Sequence, residues 1–392
     1  MQERTSRRSA LTAIGTLLVA GCTGRDASVL DDEESEPNSD GDSTTPDSRV
    51  EATTLRNDFE TVWVGASPPS DEPENAPPFG ERVLPVPMSP AALREHAVDG
   101  GPPKDGIPSI DDPSFRPADG DEFLSPESPV VGVVGPETTK AYPRRILLHH
   151  EIVNDVVDGV PVSVTYCPLT GTAVGFERGE TTFGVSGVLI NNNLVMYDRT
   201  LERWWPQIPA VSIPGPWHDT RGGATLREFS LVRTTWERWR ERYPETVLMS
   251  DDTGYVRSYV TDPYGNRGYY RSDDTIFENI YTNDRHHAKA WVYGARTSDG
   301  AVAFLKESLR DAGIVHGAID DRPVVAVYDP SLDTAYVYRN PDETTFVHES
   351  GSVVDEAGDV HAPEELPLER VLAFDAFWFA WVSYYPNTVV YE

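Results

Sequence analysis

Slid along itself by 162 residues without a gap, this 392-residue chain falls into register with itself. Pro161-Val162 lands on Pro323-Val324, Tyr166 on Tyr328, Pro168 on Pro330 and Thr172-Ala173 on Thr334-Ala335. Upstream, Gly132 meets Gly294, Ala141 meets Ala303 and Ile152-Val153 meets Ile314-Val315. Farther on, with a shorter middle, Trp236-x-x-Trp239 meets Trp378-x-x-Trp381, and Tyr243-Pro244-x-Thr246-Val247 meets Tyr385-Pro386-x-Thr388-Val389. Order-preserving matches of this kind require both stretches to build the same supersecondary unit. The repeat predicts two tandem homologous units.

The local pattern says what each unit contains. Ile152 to Val157 and Val160 to Tyr166 are β-rich runs separated by Asp158-Gly159, the composition of a two-residue type I′ hairpin. Such a turn pairs Val157 with Val160. Continued outward, that register sets Glu151 opposite Tyr166 and His150 opposite Cys167, with directly opposed residues sharing a face. Pro143 opens a short helix whose buried side is Ile146 and Leu147. Pro168 stops the ladder, and Leu169-Thr170-Gly171 turns the chain into a strand from Thr172 to Arg178. Thr234-Thr235-Trp236-Glu237 reads as a capping box opening a second helix, ended by Pro244. The fold class that follows is α+β, mostly antiparallel sheet with short helices. The last helix, around Phe377 to Trp381, is apolar all round and therefore buried.

The second copy keeps the scaffold and loses the chemistry. His150 faces Ala312, Glu151 faces Gly313 and Cys167 faces Asp329. It reads as a degenerate, structural half packed on the first. Cys167 is the only cysteine beyond residue 22. A thiol beside an imidazole can form a thiolate–imidazolium pair, as in acyl-transfer and redox enzymes. The same two side chains are soft ligands suited to copper or zinc. Cys167 and His150 are therefore the candidate catalytic or metal-ligating pair. The register points Glu151 to the opposite face from His150.

His150-Glu151-Ile152-Val153-Asn154-Asp155, then Val164 to Ala173, then Phe183-Gly184-Val185-Ser186-Gly187 and Met196-Tyr197-Asp198-Arg199 follow in order. This series resembles the uncharacterised domain of unknown function 3179 family, from about Ile107 onward. The resemblance implies a domain extent and no activity. Its pattern often reads C-P-L-C-G-T-A, whereas this chain has Thr170 at the second cysteine, so a CxxC dithiol cycle is not expected here. Thr170 could instead hydrogen-bond a thiolate.

Net charge is −31, from 64 acidic against 33 basic residues, and the only lysines are Lys104, Lys140, Lys289 and Lys306. An acidic, lysine-poor surface stays hydrated in molar salt, where the Debye length is about 3 Å and self-repulsion is screened. The composition reads as halophilic. It excludes nucleic acid as a partner, since phosphate binding needs a basic patch. Ser6-Arg7-Arg8 has the twin-arginine look, an apolar run too short to span a bilayer follows, and Val19-Ala20-Gly21-Cys22 resembles a lipobox. The expectation is export, cleavage before Cys22, lipid on its thiol, and anchoring to the outer face of the cell membrane. If Cys22 carries lipid, Cys167 has no intramolecular disulfide partner.

Six segments are expected: a signal over 1–22, an acidic tether over 23–49, a Pro/Gly-rich lead-in over 50–106, the first unit over 107–250, a connection over 251–291, and the second unit over 292–392. The Asn191-Asn192-Asn193 triplet reads as a tight loop, because asparagine tolerates positive φ. Tyr197, Asp198 and Arg199 form an ion-paired hairpin edge or a pocket wall. Trp204-Trp205 is core packing in preference to a stacking platform. His286 and His287 diverge, and Lys289 is expected in a salt bridge. No zincin, phosphate-loop or nucleophile-elbow motif is present. Three classes stay open: a thiol or redox protein centred on Cys167, a copper- or zinc-handling module, and a non-catalytic envelope protein. The soluble partner is unassigned.

Overall fold

A computed structural model describes residues 50–55, 59–65, 74–119, 123–216 and 223–392. The signal and the tether lie outside the described residues. Within them the fold is α+β, with antiparallel strands dominating and five helices of six or seven residues. None of these helices is long and apolar enough to cross a membrane.

The element order of 129–177 recurs over 291–339. Strands Pro129–Val134 and Thr139–Pro143, helix Arg144–His150, then strands Ile152–Val157, Val160–Cys167 and Thr172–Glu177 make the first series. Trp291–Thr297, Gly300–Leu305, helix Lys306–Ala312, Ile314–Ile319, Arg322–Asp329 and Thr334–Arg339 make the second. Each series then acquires a strand, a helix and a strand: Val232–Thr235, Trp236–Arg242 and Val247–Met249, against Ala373–Phe377, Trp378–Tyr384 and Val389–Tyr391. The pairing recurs as well. Val247–Met249 lies parallel to Thr139–Pro143, as Val389–Tyr391 lies parallel to Gly300–Leu305.

The same packing device holds each half. Gly132 and Gly294 lie under the rings of Trp239 and Trp381, so closely that a Cβ would sit 2.1 Å and 2.3 Å from ring carbons. Each indole N–H donates to a threonine, Thr246 at 2.9 Å and Thr388 at 3.1 Å. Helix Trp378–Tyr384 is buried along its whole length, as its sequence demands. Its tryptophans join Cys167, Phe176 and Trp205 in the largest apolar core, which both halves share. At the same junction Arg296, fully buried, donates to Glu228 at 2.7 Å, and Arg82 takes the other carboxylate oxygen.

The capping box does not form. Thr235 is the N-cap but makes no side-chain cap bond, and the Thr234 hydroxyl has no partner. Strand Val232–Thr235 runs straight into the helix with Thr234 paired to Val130, so neither side chain can fold back. The carbonyls of Ser128 and Pro126 accept the first helical N–H groups instead, both at 2.9 Å.

The lead-in supplies edges. Ala52–Thr54 pairs with Val389–Tyr391 and completes the second half's sheet. Val62–Val64 pairs with Leu84–Val86, and helix Pro90–Glu95 follows, capped by Ser89. The connection after Met249 has no strand until Trp291, only short 3₁₀ turns at Gly265–Arg267 and Tyr269–Arg271.

Candidate functional site: Cys167 and Glu151

The hairpin forms as its turn dictates. Asp158 and Gly159 both take positive φ, 48° and 81°, and the ladder runs from Val160 opposite Val157 to Thr165 opposite Ile152. There it ends. Helix Arg144–His150 precedes the strand directly, and Glu151 is its C-cap in the left-handed conformation, φ 58°. The Tyr166 N–H still donates to the Glu151 carbonyl at 2.7 Å, but the left-handed residue turns the chain out of the ladder.

His150 is therefore helical, and the expected opposition of His150 and Cys167 is corrected. The extrapolated register assumed extended backbone through Glu151, and the cap breaks it. One ring nitrogen of His150, Nδ1, lies 2.8 Å from the Pro108 carbonyl, and Nε2 lies 2.8 Å from the Tyr259 hydroxyl. The ring packs against Tyr255 and Tyr259, and burial lowers its pKa. Both nitrogens are engaged away from the thiol.

Cys167 ends strand Val160–Cys167 and is 1% exposed. Its thiol donates to the Asn192 carbonyl at 3.5 Å. Burial pushes the thiol up to about 11, and the Glu151 carboxyl adds to the rise. Hydrogen bonds from the Thr170 hydroxyl and from the Thr170 and Leu194 backbone work the other way.

Glu151 is the neighbour that the register argument pointed away from Cys167. It is 7% exposed, and its carboxyl has no hydrogen bond or ion pair among the described residues. Burial alone pushes it up to about 8. A nearly buried carboxyl on strained backbone is costly, and such costs concentrate at working sites. The second half lacks both terms. Gly313 occupies the cap, φ 72°, and the His348 ring lies 2.8 Å from where a Cβ would stand. Asp329, in the Cys167 position, accepts from the Ser331 N–H and hydroxyl within its own turn.

Beneath the thiol lies a buried polar network. Gln207 accepts from Thr172 at 2.6 Å and Asn193 at 2.9 Å and donates to Thr165 at 2.8 Å; Asn193 also donates to Thr170 at 3.1 Å. Over it lie Tyr264 and Tyr269 of the connection. Burial raises both phenols, Cys167 and Glu151 raise Tyr264 further, and Cys167 does so for Tyr269. The Tyr269 hydroxyl donates to the Leu169 carbonyl at 2.8 Å. Neither tyrosine was singled out from sequence; only the Tyr-rich composition of the connection hinted at them.

The other expected residues lie elsewhere. Arg199 pairs with Asp105 at 2.9 Å, and the Tyr197 hydroxyl donates to the same carboxylate. Asp198 accepts from the Trp205 indole at 2.9 Å and the Leu201 N–H at 2.6 Å, deep in the core. Among the described residues Lys289 makes no salt bridge: its ammonium donates to the carbonyls of Ser272 at 2.9 Å and Asp274 at 2.6 Å and lies over the Tyr269 ring. His286 lies 2.8 Å from Glu392, and His287 lies 3.4 Å from Asp273. Among the described residues no group of three or more His, Cys, Asp or Glu is placed to hold a metal ion.

Asn191 and Asn192 take positive φ, 53° and 59°, as a tight loop requires. Their side chains do more than the turn needs. Asn191 accepts from the Ile280 N–H at 2.7 Å, and Asn192 both accepts from and donates to the Phe277 backbone.

Residues 104–388 match the model of a family described as a protein of unknown function, DUF3179. No curated protein and no solved structure matches the chain.

Proposed function

This chain belongs to the protein-of-unknown-function family DUF3179, and from that premise we propose that it is a single-thiol protein in which Glu151 is the proton partner of Cys167. The observation that carries the reading is the Glu151 carboxyl itself. It is 7% exposed, no hydrogen bond or ion pair reaches it among the described residues, it sits at positive φ, and its charge acts on the one thiol among the described residues. At rest both groups are protonated. A carboxyl poised near 8 is matched to proton transfer close to neutral pH. In the ionised fraction the carboxylate takes the thiol proton as Sγ bonds an electrophilic carbon. The S–H bond breaks, the S–C bond forms, the bond from that carbon to the departing group breaks with its electron pair going to that group, and the proton passes from Glu151 to it, restoring the carboxylate. Thr170 stabilises the developing thiolate. With Thr170 in place of a second cysteine, the site works with one sulfur.

The second half serves as a degenerate structural copy that walls the site. The protein is tethered outside the cell through lipid on Cys22, and Cys22→Ser should release it or leave it unprocessed. Recovery of the wild type intact in the cytosol, with Met1 attached, would sink the tether.

The test of the site is the pH profile of Cys167 alkylation by iodoacetamide in the folded chain. A coupled pair titrates in two macroscopic steps, so the wild type should show two inflections, near 8 and near 11. Glu151→Gln should show one, and Cys167→Ser no labelling. A single inflection in both cysteine-containing proteins would overturn the pair. Copper or zinc bound stoichiometrically to the wild type and lost from Cys167→Ser would favour the metal-handling reading instead.

A further inference from the structure

The thiol site is closed. Cys167 and Glu151 are almost wholly covered, and what covers them differs in construction from the rest of the molecule. Between Asp251 and His287 every backbone–backbone hydrogen bond of the described residues is internal to the segment. The segment joins no sheet. On either side the chain is tied in again, Ser250 by its N–H to the Ser114 carbonyl and Ala290 by its carbonyl to the Trp378 N–H. Between those ties the segment is attached by side chains.

Two clasps stand out. On one side of the thiol, Arg144 of the helix preceding Glu151 pairs with Asp262 at 3.1 Å. On the other, the Asn192 amide holds the Phe277 backbone by both its groups, at 2.8 Å and 2.9 Å. Asn192 is also the residue whose carbonyl receives the Cys167 thiol, so clasp and site share a residue. Between the clasps in sequence, Tyr269 joins the apolar core that holds Cys167, and Tyr264 packs against it. The outer side carries Val256 and Val260, fully and largely exposed, so the segment does not bury its apolar residues on both faces.

We infer that residues 251–285 are a gate over the Cys167–Glu151 site, opening by release of its side-chain ties, the Arg144–Asp262 and Asn192–Phe277 clasps together with bonds such as Asn191–Ile280 and Tyr269–Leu169, while the sheets stay intact. The inference rests on the single-thiol reading for its purpose and on the bonding pattern for its mechanics. Segments held without backbone ladders open at lower free energy than the strands beneath them. Release exposes the thiol without breaking a strand pair.

The experiment uses the full chain and two variants. Asp262→Asn removes the ion pair yet keeps an acceptor for the Tyr264 and Gly265 N–H groups that Asp262 now holds. Asn192→Gly keeps the positive φ without strain and removes the amide clasp. Native-state alkylation of Cys167 is followed at fixed pH in low urea, with amide hydrogen exchange read in parallel. Each variant should label about three- to tenfold faster, the worth of one lost polar clasp. Labelling should depend weakly on urea, and exchange should rise in 251–285 but not in Val160–Cys167. Labelling that follows urea as steeply as global unfolding, or exchange rising equally in that strand, would overturn the gate. Faster labelling in both variants with a single-inflection wild-type profile would retain the gate and remove the proton pair.

Discussion

Glu151 takes a positive φ, as Gly313 does at the matching point of the second half, 58° against 72°. Glycine takes that conformation freely, while a residue with a side chain is strained in it. The first half therefore accepts a backbone cost that its counterpart avoids, and in return carries a carboxyl whose charge acts on Cys167.

That carboxyl gives stability a pH dependence of definite sign. Its folded pKa, about 8, lies above the ordinary value of 4.5. The folded chain thus binds the proton more tightly than the unfolded chain, and stability falls as pH rises from about 4.5 to about 8. Glu151→Gln removes this term. In urea titrations the variant should gain on the wild type by about 2–4 kcal/mol between pH 4 and pH 9. A constant difference across that range would show the carboxyl to be solvated.

Cys167→Ser should cost about 1–2 kcal/mol, since a hydroxyl replaces a buried sulfur with one weak acceptor in reach. Labelling should vanish while thermal unfolding stays cooperative. A loss much greater than this would identify the thiol as a core residue first.

Gly132→Ala and Gly294→Ala should be comparably severe, about 2–3 kcal/mol or more each, because the new methyl would overlap Trp239 or Trp381. Denaturation midpoints of the two variants provide the comparison. If only one is sensitive, the two halves do not use this packing device equally.

Glu228→Gln should cost about 3–5 kcal/mol by leaving the buried Arg296 guanidinium without its counter-charge. Arg296 already has two nitrogens, Nε and Nη1, without hydrogen-bond partners. Equilibrium urea unfolding measures the loss, and a change below about 1 kcal/mol would mean the pair is solvated.

The hairpin was legible because Asp158-Gly159 and the apolar runs beside it act locally. The repeat was legible because both series must satisfy the same pairings. The register failed at one residue. The sequence carried the correction: where the repeat sets Glu151 against Gly313, the glycine marks a left-handed cap, whereas it had been read only as lost chemistry. The coverage by Tyr264 and Tyr269 was not legible, since it depends on amide side chains of Asn191 and Asn192 gripping backbone nearly ninety residues away. Nothing in local propensity encodes a contact of that range.

The first described strand closes the last one. Ala52 stands opposite Tyr391, and Glu51 and Glu392 exchange both backbone hydrogen bonds, at 2.7 Å and 2.9 Å. Residues at the two extremes of the described chain are thus cross-strand neighbours. A linker of a few residues would join them, and the cycle could be reopened at the turn between the paired strands Phe346–Glu349 and Ser352–Asp355, around Ser350 and Gly351, to give a circular permutant with the same sheets.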